Sequence, residues 1–543
     1  MACSSWRPTG CLLWGLLLAC GPTSAPRGET PTAGPVVIAL PGAWSGVNEL
    51  VAGGSRADQD VRDQLFLHLF EEQPDFAEGP PTFAPSLAES IEWSTDRLHA
   101  TVRLRRDATW SDRRPVTSED VAWTWRAQTH PAVAWRYRQS KERIEAVEAL
   151  DPHTVRFTFR AAYLAQMTDL NEGAVLPRHA WGELPFERWR EDPDWFARRL
   201  VTSGPFHVAD WLPGERIVLA PSPTCRAGPH PRPTRCPALD RVVFRVVPDA
   251  AARIAQLEAG ALDYVADVAP EDAARLSRRP DLEIERFWHR RYDYLAWNLA
   301  REPFGDVEVR RALTLAIDRQ ALVDGLWRGF ARIAVSPVPT SVWAAHPDLE
   351  PWPYDPGAAR ELLERRGWRD GDGDGVRERD GQRLSFELAV NGDNLQRADA
   401  AILIQAQLAR VGVEAHVRLL DFHALVERLD AHDFDAALGA WGIDTSLDLW
   451  YAFHSQAITE GYNSGGYSNR EVDRLIDAAR RAHDQAALLR PLRRIQEILH
   501  RDQPYTFLVE PLGLDAHRRR VEGVDPSALG SFRDLASWRT SGG

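Results

Sequence analysis

Residues 85–128 read PSLAESIEWSTDRLHATVRLRRDATWSDRRPVTSEDVAWTWRAQ. Leu98, Ala100, Val102 and Leu104 alternate with His99, Thr101, Arg103 and Arg105, the period of two expected of a strand with one buried face. Trp110 to Pro115 interrupt it with a turn. Thr117 then stands as a helix N-cap, with Asp120 three residues on completing a capping box and Val116 opposite Val121 as a hydrophobic staple. A helix running through Trp125 is predicted. Periodicity alone describes a strand-turn-helix unit that any α/β protein could contain.

The order of these residues carries more. Pro85-x-Leu87-Ala88 followed by Trp93, then Leu104-Arg105 with Trp110-Ser111-Asp112, then Pro115-Val116-Thr117-x-Glu119-Asp120-Val121, resembles the signature of the dipeptide, oligopeptide and nickel class of bacterial extracellular solute-binding proteins, the receptors of ABC importers. The family usually has Asp-Gly in the turn, and Arg113 in its place implies a turn built differently. Tyr292 to Arg319 (YDYLAWNLAREPFGDVEVRRALTLAIDR) and the stretch from Leu257 to Tyr264 resemble further family segments, as do Gly173 to His179, Thr202 to Phe206 and Tyr462 to Ile476. The likeness covers about Val36 to Pro511. It implies an α/β chain with a two-lobe, periplasmic-binding-protein-like fold of type II, in the large cluster with an extra small domain, its mixed sheets flanked by helices. The expected division is a signal peptide over 1–19, a tether over 20–35, a discontinuous first lobe over 36–80, 203–288 and 507–543, an accessory α/β domain over 81–202, and a second lobe over 289–506.

Between the signatures the pattern predicts strands at Val36 to Leu40, Val242 to Val247, Leu384 to Val390, Val413 to Leu419, Ala436 to Trp441 and Thr506 to Val509. It predicts helices at Val61 to Phe70, Ala251 to Gly260, Ala398 to Leu408 and Gln485 to His500. Asp306, Asp318 and Asp355 read as N-caps, as does Ser468 or Asn469. Alternation of strand and helix over so long a stretch is the mark of α/β lobes.

A length of 543 residues allows several cores, roughly 150 residues each. Acidic residues outnumber basic ones by 78 to 65, a formal net charge of −13, and with no basic run a nucleic-acid partner is excluded. Lys141 is the single lysine. Cys11 to Ala19 is apolar but too short to span a membrane, and Leu17-Leu18-Ala19-Cys20 resembles a lipoprotein cleavage box with Cys20 as the acylated residue. A Pro-, Gly- and Ser-rich stretch after it suits a flexible tether. Cys225 and Cys236 flank a Pro-rich loop, and in an exported protein such a pair reads as a disulfide. Asp370, Asp372 and Asp374 match the first half of a calcium loop, but Gly381 stands where a bidentate Glu belongs. A structural calcium is the one cofactor the sequence leaves open; no other is expected.

The resemblance places recognition in a closing cleft, where a carboxylate after a Trp at a strand end meets a peptide ammonium group. Asp444 in Trp441-Gly442-Ile443-Asp444 fits that position, with Asp448 as the alternative and Gly439, Ala440, Trp441 and Gly442 offering backbone. The competing reading has Asp444 only capping the helix that follows. The expected function is capture of short peptides for an ABC permease by a monomeric, lipid-anchored receptor of the periplasm or cell envelope, with no catalysis. The 21 Trp residues keep open an oligosaccharide ligand on the same fold. An exported, calcium-stabilised hydrolase is the alternative of another class, against which stands the lack of any Gly-x-Ser-x-Gly, His-Glu-x-x-His or P-loop pattern.

Overall fold

The structure is a computed structural model and describes residues 34–52, 56–225 and 236–541. Cys20, the signal and most of the tether lie outside the described residues. Within the opening stretch, His99–Leu104 is a strand buried on the Ala100, Val102 and Leu104 face, and the helix runs Ser118–Thr129. The strand belongs to a four-stranded antiparallel sheet with Ala88–Trp93, Thr154–Phe159 and Ile144–Asp151, on which the helix packs.

Asp120 ties this unit together. Its Oδ2 accepts from the Thr117 amide at 2.9 Å, the Thr117 hydroxyl at 3.2 Å and Trp110 Nε1 at 3.4 Å, and its Oδ1 accepts from the Arg178 amide at 3.1 Å. Trp110 is fully buried. The residues of the motif are thus spaced so that turn, helix start and a later loop converge on one buried carboxylate. The turn itself keeps a glycine conformation without a glycine: Arg113 sits at φ 72°, a left-handed backbone that an L side chain adopts at a cost of about 1–2 kcal/mol.

One expected helix is displaced. The helix covers Arg56–Arg62, and the chain then leaves helical geometry before a strand at Phe70–Glu72. Its carbonyls serve another segment. Gln64 O accepts from Phe206 N, Leu65 O from Ser203 N and Gly204 N, and the Leu67 amide donates to Ser203 Oγ. Tertiary hydrogen bonds outweigh the local apolar periodicity, while Val61, Leu65, Phe66 and Leu69 stay buried.

Among the described residues the main sheet has twelve strands. In one half Val36–Leu40 runs parallel to Val242–Val246, which pairs with the Phe206–Leu212 and Arg216–Pro221 hairpin. In the other half Ser385–Asn391 runs parallel to Glu414–Leu420, and Arg291–Trp297 lies antiparallel to Ala436–Gly442. The strand expected at Thr506 to Val509 is instead fourteen residues long, Tyr505–Arg518. Its first part pairs with Arg291–Trp297 and Ala331–Ile333, its second with Leu282–Trp288 and Tyr264–Val265, so one strand joins both halves.

Buried polar groups secure the remaining signatures. Asp263 (2 % exposed) takes both arms of Arg520 at 2.7 and 2.6 Å and the Val37 amide at 2.9 Å. Arg310 donates to the carbonyls of Asp502 and Gln503, capping the C-terminus of the helix Gln485–Asp502. Asp306, Asp318, Asp355 and Asn469 each cap a helix with a side-chain oxygen. Cys225 and Cys236 are joined by a disulfide. No helix among the described residues is long and apolar enough to cross a membrane.

Candidate functional site

A cavity of about 1270 Å³ lies where three parts of the chain meet. Residues 136–172 of the four-stranded unit form one wall, the ends of Arg291–Trp297 and Ala436–Gly442 with the loop to Leu449 form another, and Leu529 closes it together with Glu72 and Phe83 of the small two-stranded sheet Phe70–Glu72 and Phe83–Pro85. The walls touch across the opening. Leu164 N donates to Ala482 O at 2.9 Å, Thr168 Oγ1 and Thr445 Oγ1 stand 3.4 Å apart, and the Tyr451 hydroxyl donates to Gln139 Oε1.

Asp444 lies on this wall with its carboxylate open to the cavity. Its Oδ1 accepts from the amide of Ser446 at 2.9 Å and its hydroxyl at 2.6 Å, a local turn that holds the side chain in place. Ahead of the helix that follows, Trp450–Phe453, Asp448 Oδ1 accepts from Trp450 N at 3.0 Å, and Asp444 makes no bond to that helix. Asp448 also pairs with Arg480 at 3.1 Å, so its charge is met within the protein. No cationic nitrogen of the described residues pairs with Asp444. Surrounding protein, and secondly the charge of Asp448, push its pKa above the ordinary carboxylate value.

Gly442 joins Asp444 and Asp448 on the cavity wall, whereas Gly439, Ala440 and Trp441 stand further along the strand and do not line it. Gly439 packs under Tyr294, whose Oη would meet an added Cβ at 2.7 Å. Tyr294 in turn stacks on Tyr505 at 4.2 Å and on Trp441 at 6.5 Å. Beyond Ala437 this strand makes no pairing with Ser385–Asn391, leaving one backbone edge without a neighbouring strand.

The opposite wall holds residues that sequence reasoning did not single out. Tyr163 donates to Asp169 Oδ2 at 2.6 Å, and burial raises both groups' pKa values. Lys141, 2 % exposed, donates Nζ to Asp169 O at 2.5 Å and Leu170 O at 3.4 Å; burial lowers its pKa. Glu172 sits at the mouth of a side chamber of about 380 Å³ that also reaches His68 and Arg533, and burial raises its pKa too. The one hint in the sequence is the charged run from Arg136 to Arg143, RYRQSKER.

Asp370, Asp372 and Asp374 come together on the surface, their carboxylates within 4.8 Å of one another. Asp370 accepts from the amides of Gly373 and Gly375, Asp374 pairs with Arg383, and Glu378 accepts from the amide of Gly371. The loop therefore closes on its own amides and one arginine, and it lies apart from the cavity.

A sequence model of the family described as bacterial extracellular solute-binding proteins, family 5 Middle, matches residues 82–463. The oligopeptide-binding protein AppA of Bacillus subtilis (strain 168) is 30% identical over 458 residues, 83% of each chain. The solved structure of AppA from Bacillus subtilis in complex with a nonapeptide superposes with a TM-score of 0.78 at 28% identity, over 94% of this chain and 100% of that one. NikZ from Campylobacter jejuni in complex with Ni(L-His) gives the same TM-score, 0.78, at 22% identity over 93% and 99% of the two chains, a likeness of fold.

Proposed function

Because the chain belongs to the bacterial extracellular solute-binding proteins of family 5, we propose that it captures short peptides in the cavity between its two lobes and delivers them to the membrane subunits of an ABC importer. The observation that carries this is Asp444, a carboxylate without a cationic partner that faces a cavity large enough for a peptide. A peptide ammonium group supplies the missing charge. The strand edge that leads to it has no neighbouring strand beyond Ala437 and reaches the cavity at Gly442, where an extended backbone can continue the sheet, the usual way a sheet edge holds a peptide without reading its side chains. The relation to AppA, whose solved complex holds a nonapeptide, supports the same ligand class.

The lobes are residues 36–80, 203–288 and 507–543 on one side and 289–506 on the other, with 81–202 as the accessory domain. Closure is a rotation about the two chain segments that join the halves of the sheet, favoured because a ligand touches both. Binding requires no chemistry, and the protein acts as a receptor rather than an enzyme. It works as a monomer, held to the membrane of the cell envelope through an acylated Cys20.

Native mass spectrometry of gently purified protein, followed by denaturation and identification of what is released, tests the ligand class. Peptides are the expected result, and oligosaccharides or a metal complex would overturn it. Metabolic labelling with palmitate that a Cys20→Ser variant abolishes tests the anchor, and unlabelled wild-type protein would reject it.

A further inference from the structure

Five guanidinium groups line the cavity, and their partners separate them. Arg290 pairs with Glu72 at 2.7 Å, Arg291 with Asp293 at 3.4 Å and Arg480 with Asp448 at 3.1 Å. Each of these charges is met inside the protein. Arg136 and Arg143 make no ion pair with the described residues. Arg136 is exposed and lies over its neighbour Tyr137, at the junction with the side chamber.

Arg143 is placed differently. It stands at the start of the strand Ile144–Asp151, its carbonyl accepting from Arg160 N at 3.0 Å, so its backbone is fixed by the sheet. Its guanidinium lies half-buried over the Tyr163 ring, 4.6 Å from the centroid. The acid beside it, Asp169, is already taken by the Tyr163 hydroxyl at 2.6 Å. Stacking holds the planar fork while leaving its N–H donors free, the arrangement in which arginine takes a carboxylate with two parallel hydrogen bonds. Asp444 stands on the facing wall, and the contact between Thr168 and Thr445 braces the two walls one residue away from Asp169 and from Asp444. Among the described residues the cavity thus sets the Asp444 carboxylate and the fixed Arg143 guanidinium, neither of them in an ion pair, on opposite sides.

We infer that Arg143 binds the terminal carboxylate of the peptide whose ammonium group meets Asp444, so that the ligand bridges the accessory domain and the second lobe. This rests on the peptide reading above and adds the polarity with which the ligand lies.

The test is retention of a synthetic peptide library, from dipeptides to nonapeptides, in free-acid and C-terminally amidated form, read by native mass spectrometry. Wild-type protein is expected to favour the free acids by about 10-fold or more. Arg143→Gln is expected to retain both forms at the level of the amides with an unchanged melting temperature, and Arg143→Lys to recover part of the preference. Arg136→Gln should leave the preference intact. Equal retention of acids and amides by wild type, a preference that survives in Arg143→Gln, or its loss in Arg136→Gln instead would each overturn the assignment and leave the peptide reading standing. Failure of wild type to retain any peptide would overturn both.

Discussion

Asp120 is buried, Asp444 opens on the cavity, and the two differ in their donors. Four hydrogen-bond donors from three parts of the chain converge on Asp120, whereas Asp444 receives two, both from Ser446. An ionised carboxylate offers about four acceptor positions. At Asp120 they are filled, so the group is scaffold. At Asp444 one oxygen is left over and the charge is uncompensated, so the group is disposed to take something from outside. The contrast separates a scaffold carboxylate from a candidate ligand contact, and the most readable motif in the chain serves the filled one.

The sharpest way to break this contrast is to remove each group in turn. Asp120→Ala leaves its four donors unsatisfied, and chemical denaturation should show a loss of about 3–5 kcal/mol, with peptide retention by the folded fraction unchanged. Asp444→Asn should do the reverse, weakening peptide affinity about 100-fold by calorimetry while the ligand-free melting temperature stays where it is. If Asp444→Asn unfolded the protein, or Asp120→Ala folded normally, the two roles would be misassigned.

Acid separates the two groups more gently. Both pKa values are raised by burial, so protonation of each begins above the ordinary carboxylate value of about 4 as pH falls. At Asp444 protonation removes the ligand's partner, and affinity declines from that point in wild type but is flat in Asp444→Asn. At Asp120 the sign for stability is opposite. The folded state holds this proton more tightly than the unfolded one, so this group's own contribution to stability grows as pH falls through its raised value and declines as pH rises. The difference in unfolding free energy between wild type and Asp120→Asn, followed against pH, isolates that contribution, and a difference that moved the other way would reject the assignment.

The smallest effect is in the turn beside Asp120. Arg113→Gly relieves a left-handed residue and should raise stability by about 1 kcal/mol without touching ligand retention. A destabilised variant would show that the Arg113 side chain holds the turn.

Much of the fold could be read in the sequence, because capping boxes, Asp and Asn N-caps and alternating strands are local signals. Thr117 with Asp120, and Asp306, Asp318 and Asp355, were legible from spacing alone. Local reading failed where distant segments supply the hydrogen bonds. Leu65 and Phe66 carry helical periodicity, yet Leu65 O serves Ser203 and Gly204, and the strand from Tyr505 extends to Arg518 because neighbours far away in sequence continue to pair with it. The site divides the same way. Asp444 is reached through the family resemblance, which places a carboxylate after a strand-end Trp. Arg143, Tyr163 and Glu172 could not, because a charged residue becomes part of a cavity wall only when another domain arrives opposite it.

The strand Tyr505–Arg518 also bears on how the molecule is made. It lies in the middle of the twelve-stranded sheet, between Arg291–Trp297 on one side and Tyr264–Val265 on the other, although it is built from some of the last residues of the chain. A nascent polypeptide therefore carries two half-sheets whose inner edges stay unpaired until synthesis is nearly finished, and contacts of such long sequence separation form slowly. The last strand to emerge thus acts as the closing stitch that makes two half-sheets one molecule.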